Sequence, residues 1–247
     1  MDEESTANGT GTDMVTIDPL VVLPSDIILF IFKFLALNEI SLCRRVSRNW
    51  KRYIEYFLQH LRILDCSSLE SVLSVGGLKS VLTSVKNLRE ICLDHCWTSV
   101  TEENILLLGS NCPKLRAIAT TRCKGVTDKA LQSLASCKEL EELNFSSCFQ
   151  ISDNGLVPLF QSCPRLLEVH VSSCYGVTDR SVQALAKSCP YLRDLDVSWC
   201  HVTNEGLEAF LTSPTSLKRL RIKCCSKVTD ALIWKLTQAG IIVNNFF

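Results

Sequence analysis

Cysteines recur at a fixed spacing along this 247-residue chain, and no other feature constrains its fold as strongly. A first column has neighbours 25 to 27 residues apart and comprises Cys96, Cys123, Cys148, Cys174, Cys200 and Cys225. A second column repeats at 25 or 26 residues and comprises Cys112, Cys137, Cys163 and Cys189. Self-similarity at such a period is typical of proteins built from stacked copies of one structural unit.

Each first-column cysteine follows the pattern L-x-x-[LIV]-x-[hydrophobic]-x-x-C, as in Leu140, Leu143, Phe145 and Cys148. Apolar residues two positions apart predict a short strand in every unit. A threonine or serine after the cysteine is placed to cap a helix, and the acidic residue that usually follows it suits the positive end of that helix. The predicted caps are Thr101, Thr127, Ser152, Thr178, Thr203 and Thr229. Three helices are expected to end at Cys-Pro pairs, because proline cannot continue a helix.

This pattern resembles the cysteine-containing subclass of the leucine-rich repeat over roughly residues 63 to 243. An irregular first copy is expected at Leu58, Leu61, Ile63 and Cys66. One strand and one helix cannot bury their own apolar faces, so the units must stack. We therefore predict an α/β solenoid, a leucine-rich-repeat horseshoe with parallel strands on the concave side and helices on the convex side. The first-column cysteines are expected to be small packing residues between repeats.

Three positions depart from the repeat pattern. Thr120 replaces a core hydrophobic residue, so we expect its repeat to be locally weaker. Pro158 falls inside a predicted helix and should kink or shorten it. The last copy ends at "AGIIVNNFF" without an evident polar capping unit, so its edge is expected to be exposed or covered by a partner.

Composition argues against several classes of protein. The 26 basic and 26 acidic residues cancel, so neither a nucleic acid nor a membrane is expected as a partner. The apolar run from Leu20 to Leu37 contains Pro24, Asp26 and Lys33, which leaves it unsuited to span a bilayer. Residues 1–18 form an acidic, polar tail without the features of a signal peptide. We expect free thiols, no cofactor, and a soluble protein of the cytoplasm or nucleus.

Residues 19–62 form a separate predicted module ahead of the repeats, which occupy residues 63–247. Three helices are expected, over residues 25–35 and 38–46 and from about Trp50 to Leu61. The first is apolar around nearly its whole circumference, and such a helix needs two apolar neighbours. One neighbour is its own module, and the other must be a partner or the repeat stack.

This module resembles the F-box. The family pattern has an opening Leu-Pro, an acidic residue, an Ile-Phe pair, a leucine closing the first helix, and then Val-Ser and a tryptophan. The matching positions are Leu23, Pro24, Asp26, Ile31, Phe32, Leu35, Val46, Ser47 and Trp50. The resemblance implies binding to a Skp-family adaptor and, through it, to a cullin–RING ubiquitin ligase. The adaptor contacts that it implies are Leu23, Pro24, Ile28, Ile31, Leu35 and Trp50.

The concave face is the predicted site for a target protein. Residues between the inward hydrophobic positions of each strand should line it, and they are acidic in the middle of the stack and basic at its C-terminal end. Trp199 is the leading hot-spot candidate, because tryptophan and arginine dominate protein interfaces. The candidate target-binding residues are Glu142, Glu168, His170, Asp194, Asp196, Trp199, Arg219, Arg221 and Lys223. The basic end is compatible with an acidic or phosphorylated segment.

No motif of an enzyme is recognisable, so we expect a non-catalytic substrate-recognition subunit of an SCF-type ubiquitin ligase. Two alternatives remain open: an interaction scaffold or inhibitor outside a ligase, and an enzyme that depends on Cys92. A metal site at Cys92, His95 and Cys96 is disfavoured, because the repeat accounts for Cys96 and paired C-x-x-C spacing is missing. The same argument disfavours a metal at Cys224 and Cys225.

Overall fold

A computed structural model describes residues 23–32, 37–69 and 73–245 of the chain. The predicted tail, residues 1–18, and Leu35 lie outside the described residues. The helices are α1 (Ser25–Phe32), α2 (Leu37–Cys43), α3 (Arg48–His60), α4 (Val75–Ser84), α5 (Glu102–Asn111), α6 (Asp128–Leu134), α7 (Asp153–Ser162), α8 (Asp179–Ser188), α9 (Asn204–Leu207), α10 (Ala209–Thr212) and α11 (Asp230–Gln238), with a 3-10 turn at Ser67–Leu69. The strands are β1 (Ile63–Asp65), β2 (Glu90–Cys92), β3 (Ala117–Ala119), β4 (Glu142–Asn144), β5 (Glu168–His170), β6 (Asp194–Asp196), β7 (Arg219–Arg221) and β8 (Ile242–Asn244).

The strands form one 8-stranded sheet in chain order, and every neighbouring pair is parallel. Helices alternate with the strands, and the central residue of each strand from β1 to β7 is buried in a continuous core. The chain is therefore an α/β leucine-rich-repeat solenoid, as the spacing of the cysteines predicts. The irregular first copy supplies β1, whereas Leu58 is buried as part of α3.

The predicted helix caps are confirmed, because each of the six hydroxyls accepts a hydrogen bond from a backbone N–H in the first turn of its helix. The acidic residue of that turn also joins neighbouring repeats. The Asp153 carboxylate accepts hydrogen bonds from the backbone N–H of Thr178, at 3.0 Å, and from its hydroxyl, at 2.6 Å. Asp128 makes the same pair of contacts with Ser152, and Asp179 with Thr203. We call this set of contacts the aspartate ladder.

The buried cysteines also link neighbouring repeats. The Cys148 thiol donates to the carbonyl of Thr120 at 3.0 Å, and the Cys200 thiol donates to the carbonyl of Val171 at 3.1 Å. Burial raises the pKa of Cys148 to about 11 and that of Cys200 to about 12, so both thiols stay protonated at neutral pH. All 14 cysteines are free. The predicted packing role is confirmed, with a hydrogen bond to the preceding repeat added.

Pro158 was expected to kink or shorten its helix; the shortening is wrong, and the kink stays a prediction. Helix α7 has 10 residues, the same length as α5 and α8. Proline lacks the N–H that would bond to the carbonyl of Asn154, and this carbonyl accepts instead from the Gln132 side chain at 3.5 Å. A side chain from the preceding repeat thus donates a hydrogen bond to the carbonyl that Pro158 leaves without its helical donor.

Two features appear at positions where the repeat pattern is weak. Thr120 is fully buried, and β3 pairs with both neighbouring strands despite it. Its predicted effect on local stability stays a prediction. Strand β8 was not predicted: Ile222 donates its backbone N–H to the carbonyl of Asn244 at 3.0 Å, and Ile242 is mostly exposed. The solenoid therefore continues one strand beyond the last complete repeat.

The first three helices, residues 23–32 and 37–61, form what we call the head. The Phe32 ring is buried and packs against Trp50 and Phe57, with ring centroids 6.0 Å and 5.9 Å apart. The Arg44 guanidinium donates to the hydroxyls of Ser80 and Ser84 on α4, each at 2.8 Å. These bonds attach the head to the first repeat. Among the described residues, no helix has both the length and the apolar character needed to cross a membrane.

Candidate protein-binding surfaces

The head leaves an apolar stripe exposed along α1. Ile27 and Ile31 are four residues apart and therefore lie on one side of the helix, and Leu23 lies just before the helix begins at Ser25. Between 37% and 43% of each residue is exposed. Leu42 on α2 and Val46 in the connection between α2 and α3 are also mostly exposed. The core of the head therefore covers one apolar side of α1, and the other apolar side stays exposed.

The structure distinguishes among the residues predicted to contact an adaptor. Leu23, Pro24 and Ile31 are exposed, whereas Trp50 is partly buried beside Phe32. Ile28 is fully buried, so its assignment to the docking surface is wrong in this conformation. Leu35 lies outside the described residues. Ile27 was missed, because a helix that is apolar all round carries no periodic signal to show which side faces its own core.

The residues predicted to line the concave face lie in columns that follow the register of the sheet. Residues at the first position of each strand are partners from β2 to β7: Glu90, Ala117, Glu142, Glu168, Asp194 and Arg219. Residues at the third position form a second column: Cys92, Ala119, Asn144, His170, Asp196 and Arg221. Side chains in one column therefore lie one above another on adjacent strands.

In the C-terminal half of the concave face, β5 to β7, the charges pair with one another. Asp194 is 3% exposed and accepts hydrogen bonds from Arg219 at 2.6 Å and Arg221 at 2.8 Å. Arg221 also donates to Asp196 at 3.1 Å, and Arg219 lies 3.7 Å from Glu168. These four charges of β6 and β7 were predicted to contact a target. The structure shows that they bond to each other, and the buried carboxylate of Asp194 is not available to a partner.

His170 belongs to the same network. Its Nε2 lies 2.8 Å from the Arg221 guanidinium, which can only donate, and 3.5 Å from a carboxylate oxygen of Asp194. Among the described residues, Glu168, His170 and Asp194 have potential metal ligands within 4.8 Å of one another. Both Asp194 oxygens already accept from guanidinium groups, and the His170 Nε2 lies beside one of them. A cation would have to displace those groups, so this trio is an ion-pair network rather than a metal site.

A groove of about 360 Å³ occupies the N-terminal half of the concave face, β1 to β4, and reaches Glu168 and His170 on β5. We call it the acidic groove. Its floor includes Ala117 and Ala119, and Glu90 and Glu142 stand on either side. Neither glutamate forms an ion pair or hydrogen bond within the part of the chain that the structure describes. Partial burial, followed by the nearby charges of Glu168, Glu90 and Glu141, raises the pKa of the Glu142 carboxyl.

Cys92 lies on the floor of the acidic groove and is partly buried. Burial raises the pKa of its thiol, and the negative charges of Asp94 and Asp65 act in the same direction. A nucleophilic cysteine requires the opposite, a lowered pKa that favours the thiolate. The surroundings of Cys92 therefore do not support the enzyme alternative.

Trp199 projects from a loop beyond β6 and is 54% exposed. It has a backbone φ of 62°, and the equivalent residues of the other repeats, His95, Arg122, Ser147, Ser173 and Cys224, share this left-handed conformation. Trp199 lines a second groove, of about 240 Å³, with Tyr175, His201 and Lys227. Lys223, the remaining predicted contact, is partly exposed and donates its backbone N–H to Ser198.

A column of aromatic side chains beside Trp199 was missed. Phe149 and Tyr175 are both 55% exposed, and their rings stack with centroids 5.8 Å apart. His201 continues the column at 6.3 Å from Tyr175. Each of these residues directly follows a first-column cysteine, so the signal was present in the repeat alignment.

Sequence comparison identifies both parts of the chain. The profile described as F-box domain matches residues 20–60. The profile described as Leucine Rich repeat matches residues 136–160 and 188–211. The chain combines an F-box domain with leucine-rich repeats. The head is the F-box, and the solenoid from β1 onward carries the repeats.

Three relatives match part of this F-box and leucine-rich-repeat chain. The mouse protein named F-box/LRR-repeat protein 15 is 24% identical over 105 residues, which cover 42% of this chain and 35% of the mouse protein. The rat protein of the same name is 26% identical over 105 residues, with the same coverage of 42% and 35%. The BTB/POZ domain-containing protein FBL11 of Arabidopsis thaliana is 32% identical over 95 residues, which cover 36% of this chain and 10% of that protein. The match thus spans about a third of the rodent relatives.

The fold also resembles a chain in the crystal structure of the Rad7 and Elc1 complex in yeast. The TM-score is 0.50 at 17% sequence identity, and the match covers 92% of this chain and 66% of that chain. At this level of identity, the likeness concerns the fold alone.

Proposed function

We propose that this protein is the substrate-recognition subunit of an SCF-type cullin–RING ubiquitin ligase. The F-box head binds a Skp-family adaptor, and the concave face of the repeats binds the protein to be ubiquitinated. The chain itself is non-catalytic and acts in the cytoplasm or nucleus. The F-box match and the names of the rodent relatives support the first of these roles.

The observation that carries the proposal is the exposed stripe of Leu23, Ile27 and Ile31 on the F-box head. Exposed apolar side chains aligned on one helix face are typical of a surface that docks into an apolar groove of a partner. The stripe is separate from the residues that hold the head together, such as Ile28 and Phe32. Docking therefore does not require the head to unfold.

The attachment of the head to the repeats supports a receptor function. Arg44 bonds to Ser80 and Ser84, and the Asn87 side chain donates to the carbonyl of Gln59 at 2.8 Å. A target held on the concave face would then keep a defined position relative to an adaptor on the head. In the proposal, Glu142, Trp199 and Lys223 remain open to a target, with Glu168 and His170 at the edge of the ion-pair network.

Pull-down with a purified Skp-family adaptor tests the proposal. We expect the wild-type chain to retain the adaptor and Ile27→Asp with Ile31→Asp to lose it, because the two charges would be buried at the interface. Trp234→Asp is the matched control, since Trp234 is 65% exposed on α11, far along the chain from the head. Failure of the wild type to bind, or binding unaffected by the double substitution, would contradict the proposal.

The same experiment separates the ligase from the scaffold alternative. With a cullin added, the receptor function requires the chain, the adaptor and the cullin to elute as one complex. Adaptor binding that excludes the cullin would instead favour an interaction scaffold or inhibitor acting outside a ligase.

A further inference from the structure

The acidic groove has a hollow at its centre. Ala117 on β3 lies in register between Glu90 on β2 and Glu142 on β4. Neighbouring strands are about 4.8 Å apart, so the two glutamates are anchored about 10 Å from each other with only a methyl group between them. This spacing admits the stem of one long side chain over Ala117, with a carboxylate on each side.

The two glutamates beside the hollow, Glu90 and Glu142, form no ion pair among the described residues. Glu168, which lies 3.7 Å from Arg219, adds a third carboxylate on the adjacent strand. Asp65 and Asp94 lie at the N-terminal end of the same face, where each accepts a backbone N–H, from Ser67 and Thr121 respectively. The groove therefore combines a low, partly apolar floor with uncompensated negative charge.

Charge and geometry select among possible occupants. Residues 1–22 contain five acidic residues and no lysine or arginine, so the chain's own N-terminal segment is repelled. A Ca²⁺ or Mg²⁺ ion needs several oxygens within about 2.6 Å, which glutamates on strands two apart do not provide together. A lysine or arginine side chain can instead approach both carboxylates at hydrogen-bonding distance.

We propose that the acidic groove binds an extended, positively charged segment of the target protein, with a lysine or arginine side chain over Ala117 between Glu90 and Glu142. The backbone of that segment runs across the column of Cys92, Ala119 and Asn144. This inference rests on the proposed receptor function, because it identifies the basic segment as part of the target protein. Binding of the segment to the acidic groove does not depend on binding of the adaptor to the head.

Fluorescence anisotropy with the full chain tests this inference. The probes are a labelled, short Gly/Ser peptide carrying two arginines and the same peptide with two glutamates in their place. We expect the arginine peptide to bind, the glutamate peptide not to bind, and added salt to weaken binding. Glu90→Gln with Glu142→Gln should lower the affinity about tenfold, as expected when two partly exposed ion pairs are lost.

Two further variants complete the design. Ala117→Arg supplies a cation from the chain itself and fills the hollow, so it should also reduce binding. Glu205→Gln with Glu208→Gln removes the same amount of charge from exposed positions on the convex side and should leave the affinity unchanged. Because the groove glutamates repel each other, their replacement should not lower the thermal midpoint, and a loss of binding is then not explained by unfolding.

Three results would overturn the inference: no binding of the arginine peptide, equal binding of both peptides, or unchanged affinity in the Glu90→Gln, Glu142→Gln variant. The adaptor pull-down is a separate measurement. A chain that captures the adaptor but not the arginine peptide keeps the receptor function and loses the acidic groove as its recognition site. A chain that binds the peptide but not the adaptor does the reverse.

Discussion

The two halves of the concave face are both rich in charge, but only one neutralises its charges internally. On β6 and β7, acidic and basic residues share columns, so Asp194 and Asp196 bond to Arg219 and Arg221. On β2 to β4, the corresponding positions place Ala117 between two glutamates. Charge on a repeat surface is therefore a poor guide to binding by itself. The pairing between adjacent strands decides whether a charge stays available.

A single strand makes the difference in each half. Strand β7 carries an arginine in both columns and closes the C-terminal half against its neighbour. Strand β3 carries an alanine in both columns and opens the N-terminal half. The same parallel register thus produces a closed ion-pair network at one end and an open groove at the other.

We expect the largest effect on stability when the ion-pair network of the C-terminal half is broken. Arg221→Ala removes bonds to Asp194, Asp196 and His170 and leaves a buried carboxylate with fewer partners. We expect the free energy of unfolding to fall by about 2 kcal/mol, measured by urea denaturation. Arg193→Ala is the control, because Arg193 is exposed and forms no ion pair among the described residues. An equal, small loss in both variants would show that the network contributes nothing to stability.

Away from the concave face, we expect the two halves to be stabilised equally by the aspartate ladder. The aspartate ladder joins neighbouring repeats in both halves. The Asp128 to Ser152 contacts belong to the N-terminal half, and the Asp179 to Thr203 contacts belong to the C-terminal half. Asp128→Ala and Asp179→Ala each leave a backbone N–H and a hydroxyl without an acceptor. We expect each to cost about 1 kcal/mol of unfolding free energy. A cost confined to one of the two variants would contradict a uniform ladder.

The smallest effect concerns Glu142 in the open half. Burial and neighbouring carboxylates raise the pKa of Glu142 in the folded chain above its unfolded value, so ionisation of this group favours unfolding. Wild-type stability should therefore fall as the pH rises between those two pKa values, and the loss should persist at higher pH. Glu142→Gln is expected to gain about 0.3 kcal/mol at neutral pH, since the side chain is largely exposed.

The pH dependence provides the check on that gain. Below the unfolded-state pKa of about 4.3, the carboxyl is neutral in both states and the variant should match the wild type. Glu205→Gln, on the convex side, should show no such difference between acidic and neutral pH. A stability gain of Glu142→Gln that is independent of pH would exclude charge repulsion as its cause.

The strand register, the helix caps and the buried cysteines could be predicted from the sequence, because residues one period apart become neighbours when repeats stack. Glu142 and Glu168 occupy equivalent positions of successive repeats, and the sheet pairs them in one column. The exposed side of α1 could not be predicted in the same way. Its run of apolar residues offers Ile27 and Ile28 equally, and only the packing of α1 against α3 buries the second.

The sequence by itself determined that this chain stacks repeats behind an F-box, because hydrophobic period and capping residues are local properties that survive without coordinates. Tertiary structure alone decided that Gln132 bonds to the carbonyl left by Pro158, that β8 extends the sheet, and that Arg219 and Arg221 bond to the acidic residues beside them. These outcomes depend on distances between side chains of different repeats. The sequence alone does not give those distances.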